Sequence, residues 1–341
     1  MNTDWQTFLT QSGASIDEGR VVDFGDPELE LKSSLSKNVL CDLSSYSVLL
    51  VEGEDAETFL QGQFSNDIKL VKNDSCQFSS WNTAKGRMLA NFVLWRDDSG
   101  FYLQLPASLR ESIQKRLTMF LLRAKVKITD VSDQLVRLGV AGKDAEALVT
   151  SAMGQCPQAD YGVAQNSKGS TIKLAGNIYE IVTTPEQAPE LWKALLGNAV
   201  AVSTSRWEWH LIQAGIPVIA PATQEQFVPQ MVNFELINGV NFKKGCYPGQ
   251  EIVARTQYLG KLKRRMYLAH LEAKATPGDE LYSADLPEQS TGMIVNAQAS
   301  PEGGYDVLAV IQMSSAESQE IHFQSIDGPT LKLKPLPYNV P

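Results

Sequence analysis

Residues 243–255 read Lys243-Lys244-Gly245-Cys246-Tyr247-Pro248-Gly249-Gln250-Glu251-Ile252-Val253-Ala254-Arg255. This stretch combines cations, glycines, a thiol and a proline more densely than any other part of the chain. Gly245 allows the backbone to turn or to approach a ligand closely. Pro248 suits the first turn of a helix, where its missing N–H is not needed. We therefore predict a helix from Gly249 to about Thr256, with Cys246 just before its N-terminus.

The sequence neighbours of Cys246 favour a reactive thiol. The positive end of a helix dipole, together with Lys243 and Lys244, favours the thiolate over the thiol. This predicts a nucleophilic or metal-binding sulfur, while the free N–H groups of the helix start can bind a carboxylate or a phosphate. A tight turn in which the cysteine only fills space is the alternative interpretation. A Cys–His pair would need His210 or His270 beside the thiol, and the sequence leaves that open.

The composition is that of a soluble globular protein, with 43% hydrophobic and 20% charged residues in a chain of 341. That length suggests two or three domains. No apolar run approaches the roughly 18 residues that a membrane span needs. The first residues lack the basic start and apolar core of a signal peptide, so we expect a cytoplasmic location and no membrane partner.

Cysteine usage and charge narrow the possible ligands. The spacing of Cys41, Cys76, Cys156 and Cys246 fits neither a disulfide framework nor a metal site. We expect the first three to be buried. The net charge is −9, yet seven basic residues and one acidic residue lie between 243 and 265. Such a local patch suggests an anionic ligand of limited size rather than broad nucleic-acid binding. The basic residues are Lys243, Lys244, Arg255, Lys261, Lys263, Arg264 and Arg265.

Hydrophobic patterns predict an α+β protein rather than a doubly wound sheet. We expect residues 1–42 to be an irregular lead-in with one or two short strands, and residues 46–51 to be a strand. Residues 49–57 and 138–146 share a strand, a glycine (Gly53 and Gly142) and an Asp-Ala-Glu helix start. This echo predicts two related strand–helix units, with coincidence as the alternative. Short alternating stretches after Arg265 predict a compact all-β module.

Two helix starts are predicted from local signals. Asp55 is placed to cap a helix that runs to about Phe64. Ser108 followed by Glu111 is a capping-box pattern. It predicts a helix whose apolar face carries Leu109, Ile113, Leu117 and Leu121.

The octet Lys244-Gly245-Cys246-Tyr247-Pro248-Gly249-Gln250-Glu251 resembles the K-G-C-Y-x-G-Q-E signature of the YgfZ family. These are bacterial folate-binding proteins linked to tRNA modification and related to the glycine-cleavage T-protein. Other stretches are similar to family segments as well: 59–67, 84–87, 214–219, 227–230 and 336–338. The resemblance covers roughly residues 43–341 and leaves residues 1–42 unexplained.

The resemblance implies an α+β, T-protein-like fold. It has two ferredoxin-like α+β units around a central channel and a C-terminal β-barrel. We accordingly expect a folate-binding α+β region over 1–262, with its units at about 43–130 and 131–200. Residues 201–262 would carry the signature segment, and residues 263–341 would form the barrel.

The resemblance also implies a ligand, tetrahydrofolate or a derivative. The folate-contacting aromatic residues of the family fall on Trp207 and Tyr46. The second position is usually tryptophan, and a tyrosine offers less stacking area. Within the signature segment we expect further contacts to folate from Lys244, Gly245, Tyr247, Gln250 and Arg255. No metal site is expected.

One difference from the T-protein concerns catalysis. The catalytic aspartate of the T-protein lies in a G-G-x-x-D-D segment, and the matching stretch here is Gly86-Arg87-Met88-Leu89-Ala90-Asn91. Neither carboxylate is present, so the main proton-handling group of aminomethyl transfer is missing. We expect folate binding without T-protein aminomethyltransferase activity. Whether the chain is an enzyme of another kind stays open.

The first hypothesis is a folate-binding accessory protein that supports iron–sulfur enzymes, above all those that thiolate tRNA. Its partners would be those enzymes or their assembly factors. Cys246 would act as an activated thiolate, and Lys244 as its electrostatic partner or as a contact for folate carboxylates. One alternative is a folate-dependent one-carbon transferase or demethylase that uses other residues. Another is a direct RNA-binding module using the basic patch, for which affinity would fall steeply with salt.

Overall fold

The structure is a computed structural model that describes residues 1–260, 262–286, 288–318 and 320–340. Its helices are α1 Thr3–Gln11, α2 Pro27–Ser36, α3 Ala56–Gln61, α4 Ala107–Thr118, α5 Ala145–Met153, α6 Ala188–Leu196, α7 Thr204–Gln213, α8 Gln250–Tyr258 and α9 Met313–Ser318. Among the described residues, no helix is both long and apolar enough to cross a membrane.

The strands of the first 202 residues are β1 Ser15–Asp17, β2 Arg20–Asp23, β3 Val39–Asp42, β4 Tyr46–Glu52, β5 Gln77–Asn82, β6 Met88–Asp97, β7 Gly100–Pro106, β8 Lys127–Asp130, β9 Val136–Ala141, β10 Val163–Asn166, β11 Gly169–Ala175, β12 Ile178–Thr183 and β13 Val200–Val202. Those that follow are β14 Arg264–Leu271, β15 Glu280–Tyr282, β16 Gly292–Ala299, β17 Tyr305–Gln312, β18 His322–Phe323 and β19 Lys332–Lys334.

The chain divides into two compact regions. Region 1 comprises Met1–Glu57, Lys69–Gln77 and Val93–His210. Region 2 comprises Thr58–Ile68, Phe78–Phe92 and Leu211–Pro341. Each region is therefore assembled from segments that are far apart in sequence.

The first ferredoxin-like unit is built on the sheet with strand order β5-β6-β7-β4-β8. β7 is antiparallel to both β6 and β4, and β4 is antiparallel to β8. Helix α3 follows β4, and helix α4 joins β7 to β8. This is the strand–helix–strand–strand–helix–strand arrangement of a ferredoxin-like unit, as expected.

The second ferredoxin-like unit contains a strand from the N-terminal segment. Its sheet has the order β10-β11-β12-β9-β3-β13. β3 lies between β9, to which it is antiparallel, and β13, to which it is parallel. The expected unit of β9, α5, β11, β12, α6 and β13 is therefore present, with β3 inserted between its first and last strands.

The prediction of an irregular lead-in over residues 1–42 is wrong. Two helices and three strands form there. The side chain of Asn2 caps α1 by accepting hydrogen bonds from the N–H groups of Asp4 and Trp5. Trp5 and Leu9 are buried in the hydrophobic core of the second ferredoxin-like unit. Packing against residues more than a hundred positions away stabilises this segment, and that packing leaves no local pattern.

The echo between residues 49–57 and 138–146 is confirmed. Gly53 and Gly142 have φ of +120° and +135°, and α3 and α5 begin at Ala56 and Ala145. A Cβ at Gly53 would lie 2.1 Å from the carbonyl oxygen of Lys125. At this position the turn therefore requires glycine.

Two local details differ from expectation. Helix α4 has Pro106 at its N-cap, so the predicted capping box of Ser108 and Glu111 is wrong. Proline is favoured near a helix start because its φ is already helical. The predicted apolar face is present through Leu109, Ile113 and Leu117, which are buried. Helix α3 ends at Gln61, earlier than the expected Phe64.

Region 2 contains the predicted all-β module. Its sheet has the order β18-β15-β16-β17-β14-β19 and is antiparallel throughout. Phe323 N–H donates to Pro329 O, and Leu331 N–H donates to Ile321 O, so the chain entering β19 also bonds β18. The sheet is thereby curled into a barrel-like form, as expected. Its core is Ala269, Leu271, Ala275, Leu281, Ile294, Val307, Ala309, Ile311, Ile321, Phe323 and Leu331.

Candidate functional site

The signature segment, residues 243–255, lies in region 2 and includes the start of α8. The N-cap of this helix is Gly249, with φ of +79°. Pro248 precedes the N-cap, so its predicted place in the first helical turn is wrong. The helix is present as expected and ends at Tyr258. Cys246 is exposed and lies just before the helix.

Two glycines hold the start of α8 against the turn at residues 84–87. A Cβ at Gly249 would lie 2.4 Å from Thr83 O and 2.6 Å from the Cα of Gly86. Gly86, with φ of +72°, would in turn place a Cβ 3.1 Å from the Cβ of Ile252. Side chains cannot be accommodated between these two backbones. The close approach therefore explains why both segments have glycine at the point of contact.

The ammonium group of Lys244 is buried and fully hydrogen-bonded. It donates to the carbonyl oxygens of Gln61 at 2.8 Å, Phe64 at 2.6 Å and Asn66 at 2.8 Å. Burial lowers the pKa of Lys244 to about 8, and the nearby Asp67 carboxylate opposes that shift. The stretch 59–67, which resembles a family segment, is therefore in direct contact with the signature octet.

Other octet residues also face inward. Tyr247 is buried, with its ring centroid 5.2 Å from Lys244 Nζ, and burial raises the pKa of its hydroxyl. The amide of Gln250 donates to the backbone carbonyl of Lys244 at 3.4 Å. Gly245 is exposed, and no described heavy atom lies within 4 Å of the place of its missing Cβ. Arg255 is exposed on α8. Their roles as folate contacts stay predictions.

The cysteines divide by exposure. All four lie in the described part of the chain as free thiols, and Cys246 is the only exposed one among them. Cys41 and Cys76 are buried as expected, and burial raises the pKa of both thiols. Cys156 is half-buried, so the expectation that it is buried is wrong. The described residues contain no cluster of three or more potential metal ligands.

The basic patch is smaller than the sequence suggests. Lys243, Arg255 and Lys263 are exposed, whereas Lys244 and Arg265 are buried. Arg265 forms an ion pair with Glu235 and also donates to Gln230 O at 3.1 Å. Lys261 lies outside the described residues. Cations that bind their own protein are not available to an anionic ligand.

The two aromatic residues predicted to contact folate lie in region 1. Trp207 is fully buried, and a Cβ at Gly139 would come within 2.6 Å of its six-membered ring. Tyr46 is also buried, and burial raises the pKa of its hydroxyl well above the usual value. The absence of a side chain at Gly139 thus makes room for the indole. Contact of either ring with a ligand stays a prediction.

Glu180 was not found by sequence reasoning. It is buried on β12, directly across the strand pair from Gly139, so it shares a sheet face with the Trp207 ring. The amide of Gln104 donates to both carboxylate oxygens, at 2.9 and 2.8 Å. Burial raises the pKa of Glu180 to about 7. A single acid within the apolar strand Ile178-Tyr179-Glu180-Ile181-Val182 was the available signal.

Several buried polar atoms around Glu180 lack a hydrogen-bond partner among the described residues. They include Gln104 Oε1, Trp207 Nε1 and the Nε and Nη1 of Arg137. The Nη2 of Arg137 donates to the backbone carbonyl of Tyr46 at 2.6 Å, so Tyr46 is also bonded to this group through its main chain. Buried polar groups without partners are costly and usually have a water or a ligand beside them. We call Tyr46, Gln104, Arg137, Glu180 and Trp207 the buried polar cluster.

Asn91, which the sequence matches to a T-protein carboxylate, has a structural role in region 2. Its Nδ2 donates to Pro217 O at 2.8 Å, and its Oδ1 accepts from the N–H of Ile219 at 2.8 Å. An amide supplies both a donor and an acceptor, whereas an ionised carboxylate only accepts. The side chain is buried and both its groups are used, so it is not placed to exchange a proton with a substrate.

The chain is similar to known proteins over most of its length. Residues 27–204 match the family profile described as the GCVT N-terminal domain. The tRNA-modifying protein YgfZ of Escherichia coli O7:K1 is 33% identical, covering 88% of this chain and 93% of that protein. Its namesake in Sodalis glossinidius is 31% identical over 92% and 97% of the two chains. That of Pectobacterium carotovorum is 31% identical over 91% and 94%.

A solved structure has the same fold. The glycine cleavage system aminomethyltransferase T from Bartonella henselae superposes with a TM-score of 0.81, covering 99% of this chain and 97% of that one. The sequence identity is 16%, so this likeness concerns the fold alone. It agrees with the two ferredoxin-like units and the curled C-terminal sheet.

Proposed function

The chain belongs to the YgfZ family, and on that premise we propose that it binds a reduced folate and supports tRNA modification. The proposal includes iron–sulfur enzymes of tRNA thiolation, or their assembly factors, as partners. It excludes aminomethyl transfer of the T-protein kind. The observation that carries the folate part is the buried polar cluster. There a carboxylate lies beside an indole, together with donors and acceptors that have no partner in the described part of the chain.

The residues of the cluster fit the chemistry of a pterin. The amino-pyrimidine edge of a pterin presents adjacent N–H donors, which a carboxylate such as Glu180 accepts in pairs. The remaining polar atoms of Gln104, Arg137 and Trp207 supply an acceptor and donors for other ring positions. Trp207 offers a flat apolar surface for the heterocycle. Since Glu180 must be ionised to accept both bonds, affinity is expected to fall as the pH drops below about 7.

The tRNA part of the proposal rests on the relatives and on Cys246. Proteins that match this chain over about nine tenths of its length are named tRNA-modifying. The exposed thiol of Cys246 is open to a partner, in contrast to the buried thiols of Cys41 and Cys76. An exposed cysteine sulfur at this position suits transient contact with sulfur or iron on a partner enzyme.

Loss of T-protein catalysis follows from Asn91. An amide does not exchange a proton as a carboxylate does. Both ends of this amide are also hydrogen-bonded to backbone groups of residues 217–219.

Folate binding is tested by isothermal titration with tetrahydrofolate under reducing conditions. The wild-type protein, Glu180→Gln and the exposed control Glu54→Gln are compared. We expect Glu180→Gln to weaken binding at least about tenfold, because it replaces a charged acceptor with a neutral one, and we expect the control to bind like the wild type. No binding to the wild-type protein at millimolar folate overturns the ligand assignment.

The tRNA role is tested in cells that lack their own YgfZ protein. Thiolated nucleosides of tRNA are measured by mass spectrometry after expression of this chain. Cys246→Ala is expected to abolish rescue, whereas Cys156→Ala, which removes the half-buried thiol, is expected to rescue fully. Full rescue by Cys246→Ala overturns the role of this thiolate. Failure of the wild-type chain to change thiolation overturns the tRNA role.

A further inference from the structure

The ammonium group of Lys244 has no hydrogen left for another partner. A lysine ammonium has three N–H donors. All three are accounted for by Gln61, Phe64 and Asn66, at 2.6 to 2.8 Å. Hydrogen bonds from a charged donor are about twice as strong as neutral ones. They offset the cost of burying the cation, which is 8% exposed as a residue.

The acceptors of Lys244 are carbonyl groups at the end of α3 and in the turn after it. Gln61 is the last residue of α3, where carbonyls lack an intrahelical partner. The same turn is joined to the chain just before the signature segment by a backbone bond from the N–H of Asn241 to Ser65 O, at 3.0 Å. Lys244 therefore links two segments that lie almost 180 residues apart in the sequence.

The opposite side of the octet is held in a different way. Gly249 packs on Gly86, and Gln250 bonds back to the carbonyl of Lys244. Cys246 lies between these two attachments and remains exposed. The short loop carrying the thiol is thus fixed at both of its ends, once by a cation and once by close backbone packing.

Taking Cys246 as the working thiol of the proposed function, we infer that Lys244 is a positioning residue. It fixes the thiol-bearing loop on the turn at residues 61–66, and it contacts neither the thiolate nor a folate carboxylate. Lys243, the exposed neighbour, is the cation free to act on an anion near Cys246. The two adjacent lysines of the motif therefore have different tasks.

The test compares Lys244→Met, Lys244→Arg and Lys243→Met in the full chain. Methionine removes the charge and all three donors at similar length. Arginine keeps the charge, but its planar fork cannot direct three bonds from one nitrogen. Lys243→Met removes a neighbouring charge without touching the three carbonyls.

Hydrogen exchange of the amides of Phe64, Ser65 and Asn241 is the first readout. These amides donate to Leu60 O, Ser80 O and Ser65 O, so each bond includes a residue of the turn that Lys244 contacts or of the helix end before it. We expect both Lys244 variants to exchange there at least about tenfold faster than the wild type, and Lys243→Met to be unchanged. The second readout is the pH of half-maximal alkylation of Cys246 by iodoacetamide, followed by peptide mass spectrometry. We expect no larger shift in Lys244→Met than in Lys243→Met.

Wild-type exchange rates in either Lys244 variant overturn the inference. So does a shift of the alkylation midpoint in Lys244→Met that exceeds the Lys243→Met shift and is reversed in Lys244→Arg, because a charge partner would behave in this way. If Lys244→Met does not fold, the exchange rates of Lys244→Arg decide. Since every readout uses the protein alone, the result is independent of whether the chain binds folate or acts on tRNA.

Discussion

The buried polar cluster of region 1 and the signature segment of region 2 use polar groups in opposite ways. In the cluster, Glu180 is 1% exposed and neighbouring donors and acceptors lack partners among the described residues. In the signature segment, the buried cation Lys244 has a partner for every hydrogen, and the sulfur of Cys246, the proposed reactive atom, is exposed.

This difference separates two kinds of functional group. Unsatisfied polar atoms that are out of reach of bulk water favour binding of a small polar ligand, which supplies the missing bonds. A satisfied and rigid support under an exposed thiol favours contact with a partner molecule. The difference is consistent with the two tasks proposed above, ligand binding in region 1 and presentation of the Cys246 thiol in region 2.

The largest expected effect tests the rigid support of the signature segment. Gly249→Ala should lower the free energy of unfolding by about 4 kcal/mol, because the new Cβ meets backbone atoms and φ is positive. Gly245→Ala, in the same loop and without neighbours among the described atoms, should change it by less than about 0.5 kcal/mol. Urea denaturation of both variants checks the contrast. Equal losses would mean that the loop is not held at Gly249.

The next effect concerns the cost of the buried acid. The pKa of Glu180 is raised from 4.5 to about 7, so the folded protein binds more protons than the unfolded chain between these values. Its contribution to stability therefore falls as the pH rises through this window, by about 3 kcal/mol in total. Urea denaturation at several pH values should show this slope in the difference between the wild-type protein and Glu180→Gln.

The exposed control Glu54→Gln should leave the pH profile of stability unchanged. A wild-type profile parallel to that of Glu180→Gln from pH 4.5 to 7 would show that Glu180 titrates normally. Burial of Glu180 would then carry no free-energy cost, and the cluster would not differ from region 2 in this respect.

A smaller effect is expected at Asn91 in region 2, where the buried side chain has hydrogen-bond partners for both its groups. Asn91→Asp removes the donor to Pro217 O and places a carboxylate beside that carbonyl. We expect a loss of about 2 kcal/mol in the free energy of unfolding, and no gain of aminomethyl transfer. The exposed control Asn177→Asp should be neutral. Appearance of transferase activity in Asn91→Asp would show that this side chain alone separates the chain from the T-protein.

The smallest effect concerns an ion pair of region 1. Arg20 and Glu208 form two hydrogen bonds, at 2.9 and 2.8 Å, with both side chains partly exposed. Arg20→Met should cost about 0.5–1 kcal/mol, since solvent screens such pairs. Lys32→Met, which removes a fully exposed ion pair on α2, should cause no measurable change. A thermal melting series with both variants distinguishes the two, and a larger loss for Lys32→Met would contradict the assigned roles.

Much of the fold was predictable because local patterns reflect it. The octet at 244–251 identified the family, and the echo around Gly53 and Gly142 predicted the two strand–helix units. The alternating strands after Arg265 predicted the C-terminal module. Each of these patterns spans only a few residues and has the spacing that a strand, a turn or a helix start requires.

The N-terminal segment was not predictable in the same way. Strand β3 is stable because it is buried between β9 and β13. The local composition of residues 1–42 does not indicate that β9 and β13 pair with this strand. The same reason explains why the pairing of Gln104 with Glu180, across 76 positions, was missed.

The sequence alone showed that residues 244–251 match a known motif and that position 91 is not an aspartate. It also predicted that a cysteine precedes a helix. These properties depend on residue identity and spacing. Only the tertiary structure decided which residues of the motif support the loop and which are displayed. Lys243 and Lys244 are chemically identical in the sequence, yet one is exposed and the other donates to three carbonyls. Burial and long-range partners, not residue type, determine that difference.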